Sequence, residues 1–143
     1  MKLAFYQPHL CLRGTTVAIF DYAFYLRQFY NIEPLIINDF NHAYNNNTAI
    51  KRFKKEFNCI SINDIMELDS VLLKQQADCV YIIKQGFKND GKIVQNTKML
   101  IHATGMAPPS EKHGHKYAYV SKWSSEYCSN MQIPYVPHMR SEE

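Results

Sequence analysis

The sequence predicts a doubly wound, Rossmann-like α/β domain with a mostly parallel sheet of six or seven strands and helices on both faces. Three observations carry this. Short apolar runs that read as strands alternate with segments of helical period along the whole chain. Several runs, such as Cys79-Val80-Tyr81-Ile82-Ile83, are apolar at consecutive positions, the pattern of a strand covered on both faces. The 143 residues suffice for one sizeable core and are too few for two ordinary α/β domains.

Residues 2–7 form an apolar run without helical spacing, bounded by Pro8. One basic residue and no long apolar stretch make it a central strand rather than a signal peptide. After the turn at 12–16, Thr15 or Thr16 is expected to cap a helix. In that helix Ala18, Ile19, Tyr22, Ala23, Leu26 and Phe29 share a face, with Asp21, Arg27 and Gln28 on the other. Residues 34–37 are a second buried strand, followed by an Asn-rich loop. Thr48 opens a helix with Ile50, Phe53 and Phe57 inward and Lys51, Arg52, Lys54 and Lys55 outward.

Residues 59–62 are a short third strand. Ser61 and Asp64 have capping-box spacing, ahead of a helix through Ile65, Leu68 and Leu72. Residues 78–83 are the fourth strand, ended by Gly86, and Asn89-Asp90-Gly91 signals a turn. Residues 99–103 and 117–120 are the fifth and sixth strands, separated by a loop with Pro108-Pro109. Ser121 or Ser124 caps a short last helix through Cys128 and Met131, and residues 134–137 are extended.

The net charge of +3 is mild, and the lysine-rich helix reads as a solvated face. A nucleic-acid surface needs a broader basic stripe with stacking aromatics, so no nucleic-acid partner is expected. The longest apolar runs are far short of the roughly 20 residues of a membrane span, and no transmembrane segment is expected. The four cysteines contain no C-x-x-C pair, which excludes a zinc ribbon or thioredoxin motif and fits a reducing, cytoplasmic compartment.

In such a sheet ligands bind where the strands end at their carboxyl termini. The first turn lacks the G-x-G-x-x-G of dinucleotide folds, offering only Gly14, and no Gly-Lys-Ser/Thr triplet occurs. Gln7, Pro8 and His9 stand where a receiver domain would have acids. Asp39, after the second strand, is placed to hold a ribose, but without the glycine fingerprint it argues little. What remains is His9, Arg13, Gly14, Thr15 and Thr16 after strand one, His102 and Thr104 at strand five, and Ser121 and Trp123 after strand six. Gly14 allows close backbone approach, the helix start after it presents free N–H groups to an anion, and Arg13 adds a forked donor. The same turn also fits a plain helix start with a surface arginine, and His102 also fits a hydrogen-bonded structural histidine. His113 and His115 lie close, but no third or fourth ligand is fixed, so no metal and no resident cofactor are expected. Most of the ten tyrosines fall at core positions rather than on a sugar platform.

Several strings go further: Leu3-Ala4-Phe5-Tyr6-Gln7-Pro8, then Leu12-Arg13-Gly14-Thr15-Thr16-Val17-Ala18, Ile101-His102-Ala103, Tyr119-Val120-Ser121-Lys122-Trp123 and Val136-Pro137-His138. Together they resemble the N-terminal domain of a GT-B glycosyltransferase-like family found in viruses and microbes. The resemblance implies a Rossmann-like, acceptor-side half over residues 1–138. Residues 139–143 would be a tail where a second Rossmann-like half, in cis or in trans, would begin. The reaction implied is transfer of a sugar from a nucleoside diphosphate sugar to an acceptor hydroxyl. Arg13, Gly14, Thr15 and Thr16 would meet the donor diphosphate. His102 would be the catalytic-side histidine facing the donor sugar, and His9, Thr104 and Ser121 would lie on the acceptor side. One glycine stands in the first turn where many relatives have two. This half alone is expected to be inactive, and self-association through a vacant cleft is allowed. The alternative expectation is a non-enzymatic Rossmann-like binding or interaction module.

Overall fold

The computed structural model describes residues 1–91 and 94–138. Six strands form one all-parallel sheet: β1 (Lys2–Tyr6), β2 (Glu33–Asp39), β3 (Asn58–Ile62), β4 (Cys79–Lys84), β5 (Lys98–Ala103) and β6 (Lys116–Tyr119). Their order is β3-β2-β1-β4-β5-β6, the doubly wound arrangement. The extended piece at 134–137 adds one parallel bridge, Tyr119 to Tyr135, beside β6 rather than a seventh strand.

Four helices complete the fold: α1 (Gly14–Tyr30), α2 (Asn47–Glu56), α3 (Leu68–Lys74) and α4 (Lys122–Ser129). Alternation along β1 explains the layers. Leu3 and Phe5 point to the face covered by α1 and α2, and Ala4 and Tyr6 to the face covered by α3 and α4; all four are buried. Leu35, Ile36, Ile37 and Val80 continue both cores beside them, each with no exposed surface.

Several local details differ from the sequence expectation. The N-cap of α1 is Arg13, which makes no side-chain cap bond. Thr15 does not cap, and Thr16 turns inward: its Oγ1 donates to the His9 carbonyl and accepts from the Cys11 N–H. Asp21, expected outside, is buried, because α2 lies beside α1 and covers a second flank of it; there Phe20 meets Phe53 and Phe57 edge-on. Phe29, expected inside, is 67% exposed. The last turn of α1 has no cover, and Phe29 stacks on Tyr25 instead, with centroids 6.0 Å apart.

Arg27 is not a solvated residue either. Its guanidinium donates to the Glu56 carbonyl and carboxylate at 2.6 and 2.7 Å and lies over the Phe57 ring, tying α1 to the end of α2. Asn46, not Thr48, caps α2 by accepting from Ala49 N–H. The Ser61–Asp64 box does not form: Ser61 donates to Asn38, and Asp64 caps a single 3₁₀ turn, Ile65–Glu67, ahead of α3. Ser121 does cap α4, through the N–H of Ser124.

Removing a buried aromatic from the doubly covered strand leaves a void that neither layer can fill. Phe5→Ala is therefore expected to destabilise the domain by about 3–5 kcal/mol, measured as a lowered urea midpoint at unchanged slope.

Candidate anion-binding rim

The chain leaves β1 toward β2 across one face and reaches β4 from β3 across the other. The connections of β1 and β4 therefore lie on opposite faces, which makes the carboxyl ends of these neighbouring strands the topological switch point, the place where open α/β sheets bind ligands. On the β1 side the loop at 7–13 is held by a lattice of hydrogen bonds. Gln7 N–H donates to Ile37 O, Asp39 N–H to Pro8 O and Asn46 N–H to Leu10 O, all within 3.0 Å. Asn45 joins the two loops, accepting from Leu10 N–H at 3.0 Å and donating to the Asp39 carbonyl at 2.8 Å. A loop fixed this way aims the side chains it carries.

At its end stands the first turn of α1. The turn contains no acidic residue, and the Arg13 cap residue makes no side-chain cap bond to the N–H groups there. A Cβ added at Gly14 would meet nothing within 4 Å, so packing does not require the glycine and the turn faces open space. Arg13 is exposed and its guanidinium lies 5.3 Å from the Tyr44 ring centroid. The His9 ring packs on His42 at 4.6 Å and edge-on to Tyr44 at 5.7 Å. Burial, then the His42 and Arg13 charges, hold the His9 ring below the ordinary histidine range against the opposing pull of Asp39. Two buried polar atoms here have no partner among the described residues: His9 Nδ1 and Gln7 Oε1. Gln7 reaches the helix start, with Nε2 3.4 Å from Thr15 Oγ1.

The other residues singled out in the sequence do not gather at this turn. His102 lies within β5, 2% exposed. Its Nε2–H donates to the Val136 carbonyl, which leaves Nδ1 to accept from the Tyr81 hydroxyl. Both nitrogens are taken by protein, and burial, together with nearby His138, pulls the ring below the ordinary range against the Val136 bond. The arrangement pins the extended segment at 134–138 over the α1 side of the sheet, where Tyr22 also donates to Pro137 O at 2.7 Å. Beside it a mostly apolar cavity of roughly 350 Å3 is lined by Tyr22, Tyr81, Leu100, His102, Ala118 and Val136. Thr104 donates through both N–H and Oγ1 to the Lys84 carbonyl. Ser121 follows β6, about 14 Å from β1 at the usual strand spacing, with its hydroxyl spent on Ser124.

Sequence reasoning passed over Gln7, His42, Tyr44 and Lys84 as site residues. Lys84 carried a readable signal, a lysine closing an otherwise apolar strand. His42 and Tyr44 lay in an Asn-rich loop whose pairing with the β1 loop only the fold reveals. All four cysteines are free thiols. Among the described residues no group of three or more His, Cys, Asp or Glu is placed to hold a metal ion, and no helix is long and apolar enough to cross a membrane. Comparison with protein-family models, with curated proteins and with solved structures gave no match.

Two expectations follow for the histidines. His102→Ala leaves the Val136 carbonyl and the Tyr81 hydroxyl without their partner and should cost about 1–3 kcal/mol of stability, read by urea denaturation. His9, His102 and His138 all have lowered folded-state values. The unfolded chain therefore takes up protons first as the pH falls. Stability is complete above the ordinary histidine value of about 6.5 and is lost below it as the pH drops toward the folded values. The urea midpoint should fall between about pH 7.5 and about pH 5, and by less in His102→Gln.

Proposed function

We propose that the chain is the acceptor-side half of a sugar-transferring enzyme, and that the open first turn of α1 meets the diphosphate of a nucleoside diphosphate sugar. One observation carries the proposal: a 17-residue helix starts after β1, at the switch point of the sheet, with no acid in its first turn, no side-chain cap from Arg13, and open space over Gly14. The summed peptide dipoles place partial positive charge at that end, and the N–H groups of Gly14, Thr15 and Thr16 are donors for an oxyanion.

In glycosyl transfer the bond from the sugar's anomeric carbon to the diphosphate breaks, and negative charge grows on the departing phosphate. Donors already aimed at that charge stabilise the transition state more than the ground state. Arg13 would add a forked donor and a full charge at the same place. His9, packed against His42 and edge-on to Tyr44, would form the flank of the site on the β2 side, with Asp39 at the end of β2. Thr16 supports the turn from inside by holding the His9 carbonyl. His102 contributes by anchoring the segment at 134–138 rather than by touching sugar, since both its nitrogens are bound within the chain.

The alternative, a non-enzymatic Rossmann-like binding module, is favoured by that same engagement of His102, which takes the histidine expected to face the donor sugar out of play. Both cases place an anion at α1; they differ in whether a sugar is moved.

Calorimetric titration with pyrophosphate and with nucleoside diphosphate sugars tests the proposal. Binding is expected with both, stronger for the sugar nucleotide, and Arg13→Ala should weaken it roughly ten- to a hundredfold, the scale of a charge-assisted hydrogen bond. Absence of binding, or equal binding by Arg13→Ala, would remove α1 as the phosphate site. Incorporation of radiolabelled sugar into an added acceptor separates transferase from binding module.

A further inference from the structure

Lys84 closes β4, the strand paired with β1 at the switch point of the sheet, and it is only 8% exposed. An ammonium carries three N–H donors and a full charge. Here Nζ stands 3.1 Å from His113 Nε2. His113 Nδ1 faces the Glu111 carbonyl at 2.7 Å, so Nδ1 holds the proton and Nε2 of the neutral ring accepts from the lysine. No ion pair to Lys84 forms among the described residues. Asp90 is the acid whose charge it feels, and that carboxylate is occupied by the Gln85 N–H at 2.5 Å.

The placement is rigid. Thr104 holds the Lys84 carbonyl, and Gly105 N–H donates to Gln85 O at 2.8 Å. A Cβ at Gly105 would stand 2.6 Å from that oxygen, so the loops after β4 and β5 are in close contact. A largely buried cation with no acid at ion-pair distance is destabilising if left alone, yet it sits at the sheet edge where ligands of this topology bind.

We propose that Lys84 and His113 form a second anion subsite, one that takes a phosphoryl or carboxylate oxyanion. The ligand supplies a negative charge in direct contact with the ammonium, where Asp90 acts only from beyond ion-pair distance. Lys84 gives it two N–H donors, and His113 takes the third and so fixes the direction of the other two. Burial also lowers the lysine's hold on its proton, and a bound oxyanion restores it. The subsite stands apart from the first turn of α1 and does not depend on sugar transfer.

The test uses the full chain at about pH 8, where free histidines are neutral. The ring protons of His113 are followed by NMR while sodium phosphate, or separately sodium acetate, replaces sodium chloride at constant ionic strength. A saturable shift is expected, with affinity at least about tenfold weaker in Lys84→Met and unchanged in Lys51→Met, which removes the same charge from an exposed helix face. Saturation by phosphate alone assigns a phosphoryl group, and saturation by acetate assigns a carboxylate-compatible site. If Lys84→Met does not fold, His113→Ala, in a half-exposed loop, replaces it, with the Gln85 amide as reporter and weaker binding expected. No saturable shift with either anion, or equal affinity in the folded variant, overturns the subsite.

Discussion

A five-residue strand with no free edge and no free face dictates most of what this chain can do. β1 pairs with β2 on one side and β4 on the other, and helices bury both of its faces. Its middle residues, Leu3, Ala4 and Phe5, are therefore apolar, and the polar groups of Lys2 and Tyr6 at its two ends find partners, since a buried polar group without one is costly. Polar groups are concentrated where the strand stops. Gln7, His9 and Arg13 follow within seven residues of Tyr6, and the doubly wound order parts the loops around them. The switch point between β1 and β4 is a consequence of the crossover directions. What is particular to this protein is what was put there.

That content is cationic and aromatic on the β1 side and cationic again on the β4 side. An open helix start, Arg13 and the tilted His9–His42 ring pair follow β1. The Lys84–His113 pair occupies the other strand end. No acid neutralises either set by direct ion pairing among the described residues. Both sets consist of N–H donors and cationic groups, the chemistry that the proposed phosphate-bearing substrate would require. The apolar cavity over β5 and β6, bordered by the pinned segment at 134–138, is of another kind and offers few polar groups.

The sheet was legible in the sequence because its strands are apolar on consecutive residues and its helices have a clear period. All six strands and all four helices fall within a few residues of their expected places. Boundaries and orientations were legible only where a single layer decided them. Asp21 was misplaced because α2 covers α1 from the side, a tertiary fact without a trace in the period of α1. Thr16 was read as a phosphate donor, but a hydroxyl next to a loop carbonyl is drawn inward once that loop folds back. His102 shows the limit most plainly. A histidine near the end of a strand has the same sequence signature whether it faces a ligand or a backbone carbonyl, and here the carbonyl of Val136, 34 residues later, takes it. The Lys84–His113 pair spans 29 residues and needed the strand order to be seen at all.

The start of α1 receives no side-chain cap from Arg13 and no acid in its first turn, while the strand feeding it is paired on both edges and covered on both faces. Residue-resolved amide hydrogen exchange, with and without pyrophosphate, tests both halves at once. In the free protein the amides of Phe5 and Tyr6 should exchange only through global unfolding, whereas those of Gly14, Thr15 and Thr16 exchange rapidly and slow when pyrophosphate is added. Amides at 14–16 already as protected as those in the middle of α1, and indifferent to pyrophosphate, would contradict the account.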